Sequence, residues 1–519
     1  MPSHVGVYCV DTFIGVSLES PTLPRDLLGA VRMKSIVTNS EQVPGPKGYP
    51  LLGVLPKFWR NPLGFLTETV QEHGDLVCLK KDRLYLANHP DYVQQVLRDK
   101  RENYYKNPIR RPRKGGTGLP SENSNGAAEK ERRRTLGWKS VALSEGEEWR
   151  RQRIMVQPMF SRIHFASLGN VVTGETNELV ARWKTLANTG RRVDVEREML
   201  GLILRILVKT LFGDSLKDGK EVEIITKAVR DTHEYFDARV GTFISIPESL
   251  PTPGNRRFHS AFATLSSFID TSIQERQRTG NNGGDLLGLL LSAHDSKSGE
   301  GLSERQIQDE LIMLSILGHK TTATGLSWAF LLISRSKAAE ERLYNEVASV
   351  AGDRALTVED LPNLTYTRQV VDESLRVYPP TWIIGRVALK DDVMGGYRLP
   401  AGATVLLSPY LLHRHPAYWQ NPEVFDPDRF APGAFAGGRR PAYLPFGDGE
   451  RLCMASSFAL MQLSLVLAEV MRSFHLELAP GSPVEPQPRI VLRPRSGLNM
   501  LLQSRERTVH TNVQSTSAK

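Results

Sequence analysis

A mainly α-helical fold with a smaller β region (α+β) is predicted by three features of this 519-residue sequence. Runs of good helix formers recur from Ser144 to Tyr378, and Ser456 to Met471 (SSFALMQLSLVLAEVM) forms another. Leu311 to Ile333 is a 23-residue stretch, apolar nearly all round, that reads as a long central helix. Short alternating stretches at Leu76 to Ala87 and Val393 to Leu407 read as strands.

Taken in order, residues 1–43 read as a weakly structured tail. Val5 to Leu18 is mildly apolar but is broken by Asp11, is too short to span a bilayer and lacks the basic start of a secretory signal. Pro44 to Gly53 (PGPKGYPLLG) is a rigid lead-in, and Asn61 to His73 a helix. Leu76 to Ala87 (LVCLKKDRLYLA) forms a hairpin turning at Lys81 to Arg83, and Asp91 to Arg98 returns to helix. Residues 107–140 are rich in Gly, Ser, Pro and charge, a flexible basic insertion. Ser144 and Glu147 stand in capping-box spacing before Trp149 and Arg153, which share one helix face.

Asn170 to Leu211, Lys220 to Val240 and Arg256 to Arg278 read as amphipathic helices, with a surface turn at Gly280 to Gly284. Ser303 and Gln306 cap the central helix, whose polar interruption is Gly318-His319-Lys320-Thr321-Thr322. A membrane span is disfavoured there, because a central lysine costs roughly 2.5–3.5 kcal/mol on insertion. Thr365 to Tyr378 is a helix stopped by Pro379-Pro380. Within it Glu373 and Arg376 stand at i, i+3, the spacing of a weak surface ion pair. Arg489 to Leu502 reads as a closing hairpin around Ser496-Gly497, and residues 504–519 as a disordered tail. No linker divides residues 44–503, which read as one domain.

Composition narrows the class. With 40% hydrophobic and 24% charged residues the chain is ordinary globular protein. Three cysteines, Cys9, Cys78 and Cys453, make no disulfide framework and favour a reducing, cytoplasmic setting. The net charge of +9 resembles a nucleic-acid signal until it is located. Arg110 to Arg134 holds eight basic and three acidic residues, so more than half the excess sits in one loop without aromatic interleaving. No nucleic-acid partner and no stable membrane anchor are expected.

The chemistry-bearing stretch is Pro445 to Ala455 (PFGDGERLCMA), a Gly-loosened loop feeding the Ser456 helix. Amide groups at that helix start favour a Cys453 thiolate and lower its pKa. Such a sulfur is a nucleophile, a soft metal ligand or, more blandly, a buried inert thiol.

Phe446, Gly449, Arg451 and Cys453 fit the F-x-x-G-x-R-x-C loop of the cytochrome P-450 superfamily, the haem-thiolate monooxygenases. The chain resembles that family from about Pro44 to Leu502, with Ala455 where the family has Gly. The resemblance implies haem b (iron protoporphyrin IX), with Cys453 as axial ligand of its iron and Phe446 beside the sulfur. It further implies propionate partners at Arg153 (with Trp149), Arg386 and Arg451. The interruption of the central helix is similar to the family's oxygen-binding groove, A/G-G-x-E/D-T-T, with Thr321 at the groove threonine. Leu317 and Lys320 depart from it, Lys320 standing where the family carries an acid that helps relay protons. Three readings of Lys320 stay open: an ion-paired or solvated side chain, an alternative proton donor, or a partner for a carboxylate substrate. Glu373 and Arg376 match E-x-x-R, which Arg429 of Asp426 to Phe430 (DPDRF) closes into a structural triad. Leu317, Gly318, Thr381 and Ile383 are expected on the substrate side.

The function implied is a haem-dependent monooxygenase inserting one atom of O2 into an apolar small molecule such as a lipid, terpene or polyketide. The protein would be a monomer reduced by an external ferredoxin or flavoprotein reductase docking near Arg150, Arg151, Arg439 and Arg440. A peroxygenase or rearranging enzyme needing no reductase is the alternative, motivated by Lys320. A non-catalytic haem-binding or nucleic-acid-binding protein is the remote one.

Overall fold

A computed structural model describes residues 42–505 apart from residues 51, 107–138, 240–249, 281–282, 296–297 and 435–440. The two terminal tails, most of the basic insertion, and Arg439-Arg440 therefore lie outside the described residues, as does Cys9.

Helices dominate, as the runs of helix formers require. After α1 (Pro62–His73) come α2 (Gly146–Val156), α3 (Phe165–Leu186), α4 (Val195–Phe212), α5 (Gly219–Arg239) and α6 (Pro253–Thr279). Next are α7 (Glu304–Leu317), α8 (Lys320–Ser334), α9 (Lys337–Ala351), α10 (Thr365–Val377) and α11 (Ser456–Ser473). The span 170–211 is two helices, not one, because Val193-Asp194 pairs as a strand and Asp194 then caps α4 through Arg197 N–H. Ser303 and Gln306 form a reciprocal capping box at α7. Ser144 and Glu147 do not form one at α2: Glu145 is the N-cap, and the Ser144 hydroxyl instead donates to Gln152 at 2.7 Å.

The central apolar stretch is divided between α7 and α8, with Gly318 and His319 at the break. A Cβ on Gly318 would stand 2.7 Å from Leu314 O and 3.0 Å from Leu207 Cδ1, so only glycine lets α4 approach there. Beyond the break α8 is buried on almost every side, which explains its lack of amphipathic pattern. Trp328 anchors it by donating to Leu492 O at 2.7 Å and stacking on Tyr378 at 4.0 Å. The largest core unites α3, α4, α7, α8, α10 and α11.

The smaller β region holds a five-stranded sheet in the order β1-β2-β8-β5-β3. Its strands are β1 (Leu76–Lys80), β2 (Leu84–Ala87), β3 (Tyr104–Tyr105), β5 (Ile384–Ala388) and β8 (Thr404–Leu407), with β2 and β8 parallel. A three-stranded sheet runs β4-β12-β9, from Val193–Asp194, Asn499–Ser504 and Phe474–Leu478. Two-stranded pairs are β6 (Asp392–Met394) with β7 (Tyr397–Leu399), and β10 (Pro486–Pro488) with β11 (Leu492–Pro494).

The closing hairpin expected around Ser496-Gly497 is absent among the described residues. Gly497 does turn the chain at φ +74°, but β11 pairs with β10 whereas β12 joins β4 and β9. Alternating residues of β12, Met500 and Leu502, are buried in the helical core, and that burial fixes their register away from β11. No described helix is long and apolar enough to cross a membrane.

Candidate active site

The Cys453 loop is held by its glycines. Gly449 has φ +68°, and a Cβ there would collide with the carbonyl of Leu97, so the loop lies directly against residues 95–99. Asp448 accepts from Arg98 Nε at 2.6 Å, tying the same two segments together. Cys453 N–H donates to Phe446 O at 3.0 Å, which closes the loop between the two residues. The residue keeps exposed surface, yet burial of its sulfur pushes the thiol above its ordinary value. The Ala455 amide and the Arg153 charge pull the other way without winning. The expected lowering at a helix start is thus overturned in the metal-free chain. A cation at the sulfur would supply what burial withholds.

Three guanidinium groups form a series beside this loop, each near enough to perturb the next. Arg153 donates to Leu452 O at 2.8 Å and Gln157 at 2.9 Å, and its charge reaches Cys453. Arg451 lies 3.9 Å over the Trp149 ring and is ion-paired with Glu145. Arg386 is buried and pushed down to about 10 by that burial and by the Arg451 charge. Its guanidinium hydrogen bond is to the neighbouring Gly385 O at 2.8 Å. Among the described residues neither Arg386 nor Arg153 has a carboxylate in ion-pair contact. Arg386, Arg451, Trp149 and Tyr105 line a cavity of about 300 Å³. A buried unpaired cation is costly, so these groups fit an anionic partner placed against them.

Behind the loop sits a buried ion cluster in which Arg376 and Glu373 are hydrogen-bonded throughout and Arg429 Nε alone keeps only an ion-pair contact. Arg376 is 0% exposed and donates to both Glu373 oxygens at 2.7 and 2.8 Å. Its remaining donors reach the carbonyls of His413, Pro422 and Val424 at 3.0, 2.7 and 3.1 Å. Arg429 Nε stands 3.4 Å from Glu373, and Asp426 N–H donates to Glu373 at 2.9 Å. The i, i+3 pair that sequence spacing alone would place on the surface is therefore internal.

At the helix break Lys320 is buried and ion-paired at 2.5 Å with Asp237 of α5. Of the three readings of Lys320, the ion-paired one describes this side chain. Thr321 and Gly318 are half-buried, and Leu317 is 45% exposed beside them. Thr381 is half-buried, but Ile383 is only 1% exposed and belongs to an apolar cluster with Phe58, Leu66 and Leu406. The alternation of β-region residues turns Ile383 into that cluster and leaves Ile384 next to Gly447, so Ile383 does not face open space. Arg150 and Arg151 are on the surface, paired with Glu147 and Glu300.

Glu145 and Asp237 were not singled out in the sequence. Glu145 was hidden in an apparent capping motif, and Asp237 is one of many charges on an amphipathic helix.

The sequence model of the family described as Cytochrome P-450 matches residues 43–502. The chain belongs to the cytochrome P-450 family. It is 34% identical over 439 residues to cyclooctat-9-en-7-ol 5-monooxygenase of Streptomyces melanosporofaciens, covering 84% of this chain and 90% of that one. Pentalenene oxygenase of Streptomyces avermitilis is 29% identical over 449 residues, covering 85% and 92%. The crystal structure of the cytochrome P450DA heme domain superposes with a TM-score of 0.75 at 24% identity, covering 89% of this chain and 98% of that one. The fold is accordingly that of a cytochrome P-450, and the protein is a monooxygenase with haem as its cofactor.

Proposed function

We propose that this cytochrome P-450 oxidises a terpene or a similarly apolar small molecule, with haem b held beside the Cys453 loop. One observation carries this reading: a thiol and a series of guanidinium groups, two lacking carboxylates, converge beside one loop. Cys453 would be the iron ligand. Arg153 and Arg386 would hold the propionates, with Arg451 joining them if Glu145 yields. Bound haem supplies the redox chemistry that activates O2, which no side chain here can.

The residues around it would do the rest. Trp149 holds Arg451 by its ring face, and Phe446 O holds the Cys453 backbone by accepting its N–H. Thr321, at the start of α8, offers a hydroxyl at the break in the helix. Leu317 gives the substrate side an apolar wall. The Glu373–Arg376–Arg429 cluster keeps the loop in place and takes no part in chemistry. Because Lys320 is occupied by Asp237, a carboxylate on the substrate has no free lysine to meet there, which favours a neutral hydrocarbon skeleton.

The two relatives, named for oxidation of cyclooctat-9-en-7-ol and of pentalenene, support the substrate class. Two electrons per turnover would come from an external ferredoxin or flavoprotein. The test is turnover of a terpene panel with a surrogate ferredoxin and its reductase under labelled O2. One labelled oxygen atom in the product is expected. Product with hydrogen peroxide alone and none with the reductase would establish the peroxygenase reading instead.

A further inference from the structure

Behind the α7–α8 break lies a second cavity, of about 920 Å³, between α4, α5 and the turn after β11. It is lined by exposed Arg197, Arg230 and Glu234 at its outer side and by buried His319 and Lys320 at the break. Five buried side-chain atoms of its wall have no hydrogen-bond partner: Glu196 Oε1, Asp237 Oδ1, Arg493 Nε, Arg205 Nη2 and Thr226 Oγ1. Glu196 is 5% exposed. It faces Arg493 at 3.7 Å, too far for a direct hydrogen bond. Each such atom costs about 1–3 kcal/mol unless it is satisfied. Donors and acceptors are mixed on separate elements, so no single ion satisfies them, whereas water does. The volume accommodates on the order of tens of waters.

We propose that this cavity is the proton route from solvent to the α7–α8 break, with Glu196 taking protons from solvent and Asp237 passing them inward. The proposal rests on the monooxygenase reading. Inserting one oxygen atom of O2 and reducing the other to water consumes two protons and two electrons. The electrons come from the external electron-transfer protein, and the protons come from solvent. Glu196 Oε1 accepts a proton from cavity water and releases it to water beside Asp237 Oδ1. That water delivers it to the break, and Glu196, again a carboxylate, is recharged from bulk. Lys320 is a positioning residue: it holds Asp237 Oδ2 at 2.5 Å and leaves Oδ1 facing the cavity.

The titratable surroundings single out Glu196 as the carrier. It faces Arg493 of β11, Asp194 of β4, Lys320 of α8, and His233 and Asp237 of α5. Burial raises its carboxyl to about 7, so near neutrality it exchanges protons readily. The two histidines do not serve, since burial lowers His319 to about 4 and His233 well below its ordinary value.

The experiment uses haem-loaded full-length protein carrying Glu196→Gln, Asp237→Asn or Glu196→Asp. Haem content and the carbon monoxide difference band are expected to match wild type. In Glu196→Gln, product formed per electron consumed is expected to fall at least about threefold, with a larger solvent isotope effect. Its pH dependence should lose the inflection near the value of about 7 set by Glu196, and Glu196→Asp should restore part of the yield. Asp237→Asn should show the same loss, and it decides the matter if Glu196→Gln fails to fold. A pH titration of unfolding, independent of turnover, should show the wild-type inflection and its loss in Glu196→Gln. Unchanged yield, isotope effect and pH profile in these variants overturn the proposal. Absence of the band in wild type would overturn the reading of the haem site instead.

Discussion

Two buried ion clusters in this protein are built from the same residue types and differ in satisfaction. Every Arg376 donor has an acceptor and Glu373 is met from three directions, with only Arg429 Nε left without a hydrogen bond. Around Glu196 and Asp237 each carboxylate keeps one buried oxygen without a hydrogen bond. A closed network gains nothing from solvent and fixes one geometry. An open one must exchange with water, so it can carry charge that the first cannot. The first cluster frames the Cys453 loop, and the second borders the break in the central helix.

The largest effect should come from breaking the closed cluster. Arg376→Ala leaves Glu373 buried and unpaired and should cost about 3–5 kcal/mol of stability, read from urea unfolding. It should also lower haem retention. A loss under 1 kcal/mol would mean that the cluster is not closed in solution.

Burial raises Glu373 as well as Glu196, and the Glu196 cluster should respond to pH up to neutrality. Glu196 rises from 4.5 in the unfolded chain to about 7 when folded. The folded state therefore binds the extra proton in this window, and stability falls as pH rises from about 4.5 to about 7. At one pKa unit per 1.36 kcal/mol, the loss is at most about 3 kcal/mol. Glu196→Gln should gain on wild type by that amount across the window in paired unfolding titrations. Parallel curves would contradict it.

How much of this was legible in the sequence differs between the clusters for a physical reason. Phe446, Gly449, Arg451 and Cys453 lie within one short loop, and Glu373 with Arg376 within one helical turn, so spacing alone announces them. The helix-rich fold and the β1–β2 hairpin were legible because they follow from local periodicity. Lys320 and Asp237 are 83 residues apart, and nothing local marks Asp237 among the charges of α5. The fate of Ser496-Gly497 was hidden likewise: the turn is local, but the partners of β12 are far along the chain. The raised Cys453 thiol is not legible in the sequence, where helix-start amides are visible and burial is not.

A middle-sized effect sharpens the comparison at the ion pair itself. Lys320→Met and Asp237→Asn, alone and together, should give a coupling energy of about 1–2 kcal/mol in a double-mutant cycle. The pair is mostly buried, with side chains 10% and 17% exposed, so solvent screening removes only part of it. A coupling of zero would show that the two side chains are separately solvated. The smallest effect should be Arg150→Glu on the surface, within about 0.5 kcal/mol of wild-type stability. If an acidic electron-transfer protein docks on that face, the same change should slow reduction in a salt-dependent way.

The central claim is that Cys453 is the sulfur that holds haem iron. The most direct measurement is the carbon monoxide difference spectrum of the reduced protein beside that of Cys453→Ala, expressed with ample haem precursor. The account predicts the long-wavelength band of a thiolate-bound haem in wild type and its loss in the variant. The same band in both proteins, or a colourless wild-type protein, would contradict it.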